Sequence, residues 1–118
     1  MVTEISIGTT TIKTAEKVAK DGVDSSAAEI LNLDDKLTKM MQSVGKDYEA
    51  VFVTDKTGTC FSDGVGGQYK NASITERDYF KNAISGKATI GEAIASKITG
   101  MPVVPFCAPI RGENGAIV

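Results

Sequence analysis

The sequence predicts one small α+β domain, in which a long N-terminal helix precedes several short antiparallel strands. Apolar residues recur at helical spacing over residues 12–44, and after Gly45 the pattern changes to β-branched runs separated by turn residues. At 118 residues the chain can bury one modest core but not two. Its 42% hydrophobic and 24% charged residues are typical of a folded domain and not of a disordered chain.

The N-terminal helix is predicted to run without a break from about Thr11 to Val44, which corresponds to roughly 50 Å at 1.5 Å per residue. Heptads laid from Ile12 place apolar residues at eight of ten seam positions, which are Ile12, Glu16, Ala19, Val23, Ser26, Ile30, Leu33, Leu37, Met40 and Val44. A weak point lies at Asp21-Gly22, followed by a possible capping box at residues 26–29. The seam would cover a sheet, with Leu33 and Leu37 buried. Because the helix is longer than the core needs, the part before Val23 is expected to project or to pair with a second chain.

The rest of the chain, residues 48–118, is predicted to form the domain core. Strands at 50–54 and 59–62 would make a hairpin around the turn 55–58, and the glycine-rich stretch 63–71 would form a loop. A short helix at 75–84 is expected to be capped by Ser73 or Thr75 and to end at Gly86. Two strands at 88–97 and 102–110 follow, and the turn 113–115 leads into the start of a fifth strand. Pro105 predicts a bulge or a local loss of pairing.

Composition excludes several classes of function. A net charge of −2 gives no basic surface for nucleic acid or for anionic lipid. The absence of histidine removes Ser-His-Asp and Cys-His nucleophiles and the usual zinc sites. The loop at 63–67 lacks the Gly-Lys-Ser/Thr ending of a phosphate-binding loop. We therefore expect no enzyme activity, no metal and no cofactor.

Two further features bear on the cellular compartment. No segment of the sequence approaches the roughly 20 apolar residues that cross a bilayer. Cys60 and Cys107 are far apart in sequence, and they could form one disulfide or remain two buried thiols. Buried thiols are the favoured reading, because each cysteine lies within an apolar strand-like run.

Several short segments, taken in order, resemble the Cache family of sensory domains. The resemblance covers about Tyr48 to Val118 together with the preceding long helix. The matching segments are Thr-Asp-Lys-Thr-Gly at 54–58, Arg-Asp-Tyr-Phe-Lys-Asn-Ala at 77–83, Ser-Gly-Lys at 85–87, residues 96–104, Ala-Pro-Ile at 108–110 and Glu-Asn-Gly at 113–115.

The resemblance implies a PAS-like antiparallel sheet of five strands, with the N-terminal helical stalk of residues 1–47 packed along it. Because the fifth strand only begins before Val118, the sheet is expected to be truncated in its last strand, with pairing edges left for a neighbouring molecule. The family acts outside the inner membrane of bacteria. The resemblance therefore implies the periplasmic sensor of a methyl-accepting chemotaxis receptor, homodimeric through its N-terminal helix and joined to the membrane by segments outside this sequence.

The resemblance also implies a binding site for a small molecule, either a carboxylate or an amino acid. In relatives, the arginine of the Arg-x-aromatic-aromatic segment holds a ligand carboxylate and the aromatic residues line the pocket, which points to Arg77 and Tyr79 here. Ile94 and Cys107 are expected to complete the cavity, and Phe80 is expected to be core. Tyr69 and Lys97 are expected to be solvated.

Alternative interpretations remain at this stage. From the residues alone, Arg77 reads as a surface arginine paired with Glu76 or Asp78. The acidic residue with which relatives bind a ligand amine does not occur in this sequence, which weakens the case for an amino acid. The same sensor could belong to a histidine kinase or a diguanylate cyclase. A rival of another class is an intracellular profilin-like domain that binds a protein partner.

Overall fold

The computed structural model describes residues 8–44, 48–95 and 99–118, and its architecture is mixed α+β, as the sequence predicts. The elements in chain order are α1 (Thr9–Asp21), a 3₁₀ turn (Asp24–Ser26), α2 (Ala27–Val44), β1 (Phe52–Thr54), β2 (Cys60–Asp63), α3 (Asp78–Ile84), β3 (Thr89–Ile90), β4 (Ile94–Ala95), β5 (Pro102–Val103) and β6 (Phe106–Cys107).

The N-terminal helical region is not continuous, so the prediction of one long helix is wrong. Gly22 ends α1 with a φ of 86°, a conformation that glycine adopts without strain. Its N–H donates to the carbonyl of Val18 at 2.9 Å, and the chain restarts through the 3₁₀ turn. Ser26 Oγ donates to the carbonyl of Gly22 at 2.7 Å and is therefore committed to the turn instead of capping α2.

Helix α1 packs against the domain and does not project from it. Ala15 and Val18 are buried in the same core as Leu33 of α2, and the two helices contact each other. The break at Gly22 explains this arrangement, because it lets the chain change direction and bury apolar residues of both helices in one cluster.

The first hairpin is confirmed. β1 and β2 pair antiparallel, with Phe52 opposite Asp63 and Val53 opposite Ser62. In the connecting turn the carboxylate of Asp55 accepts the N–H of Thr57 at 2.9 Å. Gly58 closes the turn with a φ of 84°, so the turn chemistry read from the sequence is what forms the hairpin.

The loop after β2 wraps around the buried carboxylate of Asp63. That carboxylate accepts the backbone N–H groups of Val65, Gly67 and Tyr69 at 3.0, 2.8 and 2.8 Å. A fully buried carboxylate is costly unless hydrogen bonds satisfy it, and these three bonds do so while fixing the course of the loop.

Helix α3 begins at Asp78, three residues later than predicted, and the predicted cap is wrong. Arg77 occupies the N-cap position without a side-chain cap. Thr75 Oγ1 instead donates to the carbonyl of Thr57 at 2.7 Å, which ties the preceding segment to the first turn. The helix ends as predicted at Gly86, whose φ is 101° and whose N–H donates to Ala83 at 2.9 Å.

The second half of the chain forms an interrupted hairpin. β3 pairs antiparallel with β6, and β4 pairs antiparallel with β5. Pro105 lies between β5 and β6, where its carbonyl accepts the N–H of Gly91 at 2.9 Å. A proline cannot donate to a ladder, so the predicted local loss of pairing at Pro105 is confirmed.

The last turn is also confirmed. Arg111 pairs with Ile117 across residues 113–115, and the N–H of Val118 donates to the carbonyl of Ile110 at 2.9 Å. Within the described residues, however, the named strands pair two by two in three small sheets, and they do not form the predicted five-stranded sheet. Among the described residues, β1 pairs with β2 alone, and residues 116–118 pair with residues 110–112 and not with β1, so no shared ladder joins the small sheets.

Two clusters of apolar side chains lie on opposite sides of the strands. Helices α1 and α2 cover Val53 and Phe61 on one side, with Ile110 and Val118 packed against the same cluster. Leu33 and Leu37 are buried there, as predicted.

On the other side, α3 and Ile74, which precedes it by four residues, cover Phe52 and Cys107. Among the helices that the structure describes, none has the length and apolar character needed to cross a membrane.

Candidate functional site

The first side of the candidate site is an apolar wall beneath α3. Tyr79 and Phe80 are buried there against Ile74. Ile94 of β4 and Cys107 of β6, both half-buried, pack against this group. Three of the four residues that the sequence singles out therefore meet at one place, although they come from three different elements.

The fourth residue, Arg77, lies at the edge of this wall. It is half-buried, and its Nη2 donates to the carbonyl of Ala95, next to Ile94, over a long 3.5 Å. Within the described part of the chain Arg77 forms no ion pair, and neither of its acidic neighbours, Glu76 and Asp78, pairs with it. The guanidinium therefore keeps donors free for a planar anion, which it can bind with two parallel hydrogen bonds.

The pKa of the Tyr79 phenol depends on its burial in the wall and on the charge of Arg77. Burial raises the pKa of Tyr79, while the positive charge of Arg77 opposes that rise. The electrostatic influence of Arg77 places the two side chains in one environment. The raised pKa keeps Tyr79 a neutral hydroxyl at physiological pH.

A polar edge made by Tyr69 and Glu49 adjoins the wall, and sequence reasoning missed it. The ring of Tyr69 stacks on Phe52 with centroids 4.7 Å apart, and its hydroxyl donates to Glu49 at 3.3 Å. Thr99 also donates to Glu49, at 2.7 Å. The expectation that Tyr69 is solvated is wrong, because the residue is only 7% exposed. Lys97 lies outside the described residues.

Both cysteines are free thiols, the reading favoured from the sequence. Burial raises the pKa of Cys60 to about 12 and also raises the pKa of Cys107. The thiolate is the reactive form, so neither environment activates a nucleophile. Cys107 contributes a compact apolar surface to the wall.

A small cavity of about 80 Å³ opens beside the wall, between β1 and the segment 107–110. Phe80 and Cys107 line it, together with Val118. Phe80 is thus both a core residue and a cavity residue, whereas Arg77, Tyr79 and Ile94 lie outside the lining, so Cys107 alone of the four predicted site residues lines this cavity. A second cavity of about 270 Å³ lies between α1 and the turn at 54–57.

Polar contacts of Asp34 with Ser62 and Lys70, together called the Asp34 clasp, join the sheet to α2. The carboxylate of Asp34 accepts hydrogen bonds from Ser62 of β2 and from Lys70 of the following loop. Gly64, two residues after Ser62, lies so close to α2 that a Cβ would come within 2.5 Å of the carbonyl oxygen of Leu37. The helix is therefore held in a fixed position on the strand that carries Cys60.

The chemistry available here suits binding. In the described ranges, His, Cys, Asp and Glu side chains form no group of three or more that could hold a metal ion. The wall offers apolar side chains and a neutral phenol, with a guanidinium at its edge. No protein-family model and no curated protein sequence matches this chain.

Proposed function

We propose that this domain is the extracytoplasmic ligand-sensing part of a bacterial transmembrane receptor, of the Cache type found in chemotaxis receptors. The observation that carries the proposal is the meeting of Tyr79, Ile94 and Cys107 at one wall, with Arg77 half-buried at its edge and without an ion-pair partner among the described residues. A side chain of this kind, held next to a buried phenol, suits a small molecule that carries a carboxylate.

The proposal includes a PAS-like sheet. Its support is that the β1–β2 hairpin and the segment 106–110 lie between the same two helical layers, since each contributes to both apolar clusters. The space between them corresponds to the position of a further strand, which residues 116–118 begin.

Signalling in this proposal is a shift between two arrangements of the helices. A ligand that binds one arrangement better shifts the population toward it. The wall connects to α2 through the β1–β2 hairpin and the Asp34 clasp, so a movement of the wall reaches the helical region. Pairing of two chains through that region is part of the proposal, and Leu31 of α2, 68% exposed, is an apolar residue available for it.

The test is a thermal-shift screen of carboxylates, amino acids and purines, followed by titration of each hit against Arg77→Ala. We expect at least one carboxylate to raise the melting temperature of the parent. Arg77→Ala should lose that response, because removing one partner of a partly buried charge pair costs about 2–5 kcal/mol.

Lys81→Ala provides the matched control. Lys81 is exposed one helical turn further along α3, so its loss removes the same charge from the same helix without touching the wall. It should respond like the parent. A panel without any stabilising carboxylate, or equal responses of Arg77→Ala and Lys81→Ala, would contradict the proposal.

A further inference from the structure

Residues 64–70, the loop that follows β2, are held in one conformation from within and at their far end. The buried carboxylate of Asp63 accepts three backbone N–H groups of this loop, the last of them from Tyr69 at 2.8 Å. Just beyond the loop, the N–H of Asn71 donates to the carbonyl of Cys60 at 2.9 Å, which returns the chain to β2. Because buried hydrogen bonds fix its backbone, the loop moves as a stiff unit.

Tyr69 connects this loop to the apolar wall. Its ring stacks on Phe52 with centroids 4.7 Å apart and planes inclined by 7°, and Phe52 packs against the cluster that contains Tyr79. Burial is the main cause of the raised pKa of Tyr79, and Tyr69 adds to that rise, so the two phenols lie within electrostatic reach of each other. A displacement of Tyr69 therefore changes the surroundings of the wall.

Lys70, the next residue, connects the same loop to α2. Its ammonium group donates to the carboxylate of Asp34, and the two side chains are only 35% and 19% exposed. The neighbouring residue of α2, Asp35, instead pairs with Lys39 at 3.0 Å, and these two side chains are 62% and 71% exposed. An ion pair that is shielded from water couples its partners more strongly than an exposed pair does.

We propose that residues 64–70 form a coupling loop through which the wall and α2 respond to each other. A displacement of Tyr69 moves Lys70, because the two are consecutive in a stiff loop, and Lys70 transmits the movement to Asp34. Coupling between two sites is reciprocal, so a change at Asp34 also reaches the wall. The inference rests on the proposed function in treating the wall as the ligand site, whereas the coupling itself belongs to the ligand-free chain.

The test is NMR spectroscopy of the ligand-free chain, in which the ring signals of Tyr79 and the methyl signals of Ile94 report on the wall. Lys70→Met breaks the contact with Asp34 and should shift both sets of signals by more than their line widths. Lys39→Met is the matched control, because it removes the same charge from the exposed pair one residue further along α2. It should leave both sets of signals in place.

Two further variants identify the route. Tyr69→Leu removes the ring stack on Phe52, so adding Lys70→Met to this variant should produce no further shift of the wall signals. Ser62→Ala removes the other hydrogen bond to Asp34 without altering the loop. It should shift the wall signals less than Lys70→Met does.

Three results would overturn the proposal: unshifted wall signals in Lys70→Met, equal shifts in Lys39→Met, or shifts in Ser62→Ala as large as those in Lys70→Met. The last would place the route in β2. If Lys70→Met does not fold, Asp34→Asn weakens the same contact while keeping its shape, with Asp35→Asn as its control. A carboxylate screen without a hit would defeat the proposed function and leave the NMR result unaffected, so the two failures are distinguishable.

Discussion

The chemical role of Arg77 depends on its surroundings more than on its identity. Its nearest polar contact is a weak bond of 3.5 Å to a carbonyl, and the buried phenol of Tyr79 lies in the same environment. A half-buried guanidinium with spare donors is stabilised by any carboxylate that reaches it. Salt should therefore weaken ligand binding through Arg77, because it screens the charge of the guanidinium, while leaving the apolar wall unchanged.

Cys60 gives a prediction for stability against pH. Its pKa is about 12 in the folded state, compared with an ordinary value of 9.0. The folded state therefore holds the thiol proton more tightly, and the free energy of unfolding falls as pH rises from 9.0 toward about 12. Between pH 8 and pH 10.5 the thiol should lower the free energy of unfolding of the parent by about 2 kcal/mol, a loss that Cys60→Ala should not show.

Urea unfolding of parent and Cys60→Ala at both pH values measures this difference. The variant should be less stable at pH 8, because it leaves a cavity, yet it should lose less stability on going to pH 10.5. Parallel losses in the two proteins would mean that the Cys60 thiol is not desolvated in the folded state.

The residues of the wall were predictable only in part. Arg77 and Tyr79 belong to one short segment whose resemblance to sensory domains marks them, and neighbouring strand patterns indicate Ile94 and Cys107. The contact between Tyr69 and Glu49 joins residues 20 apart through a loop whose course depends on the buried carboxylate of Asp63. Nothing in the local pattern around either residue indicates that contact.

At the scale of elements, α2 is the helix that the core depends on most. Leu33 is completely buried, whereas Leu31 on the same helix is 68% exposed. The pair gives a matched test, because the same atoms are removed from the same element. Leu33→Ala should lower the free energy of unfolding by about 3 to 5 kcal/mol, and Leu31→Ala should change it by less than about 0.5 kcal/mol.

Denaturant unfolding of the two variants measures these changes. Similar losses for Leu33→Ala and Leu31→Ala would mean that α2 does not pack on the sheet in this orientation. If Leu31→Ala also dissociated an oligomer, the proposed pairing of chains through the helical region would gain support without affecting the Leu33 comparison.

The helical region illustrates where pattern and structure diverge. A heptad pattern passes through Gly22 without interruption, so it predicts one helix. The structure has two, because Gly22 adopts a positive φ and Ser26 bonds back to it. Turn residues at 55–58 and 113–115 were reliable guides, since their chemistry is local, whereas the pairing of whole strands depends on partners distant in sequence.

At the scale of the molecule, the strands lie between a layer made by α1 and α2 and a layer made by α3 and Ile74. The 80 Å³ cavity and the apolar wall share Phe80 and Cys107, so the cavity adjoins the wall.

The central claim is that a small carboxylate binds at Arg77. The chain contains two arginines, Arg77 and Arg111, so a ¹H–¹⁵N spectrum of the arginine side chains contains two Nε–Hε signals that single substitutions can assign. Arg111 lies away from the wall and donates to the carbonyl of Gly115 at 2.9 Å, in the last turn. Titration with a carboxylate that stabilises the domain should shift the Arg77 signal along a saturable curve and leave the Arg111 signal in place. A saturable shift of neither signal, or of Arg111 alone, would contradict the account.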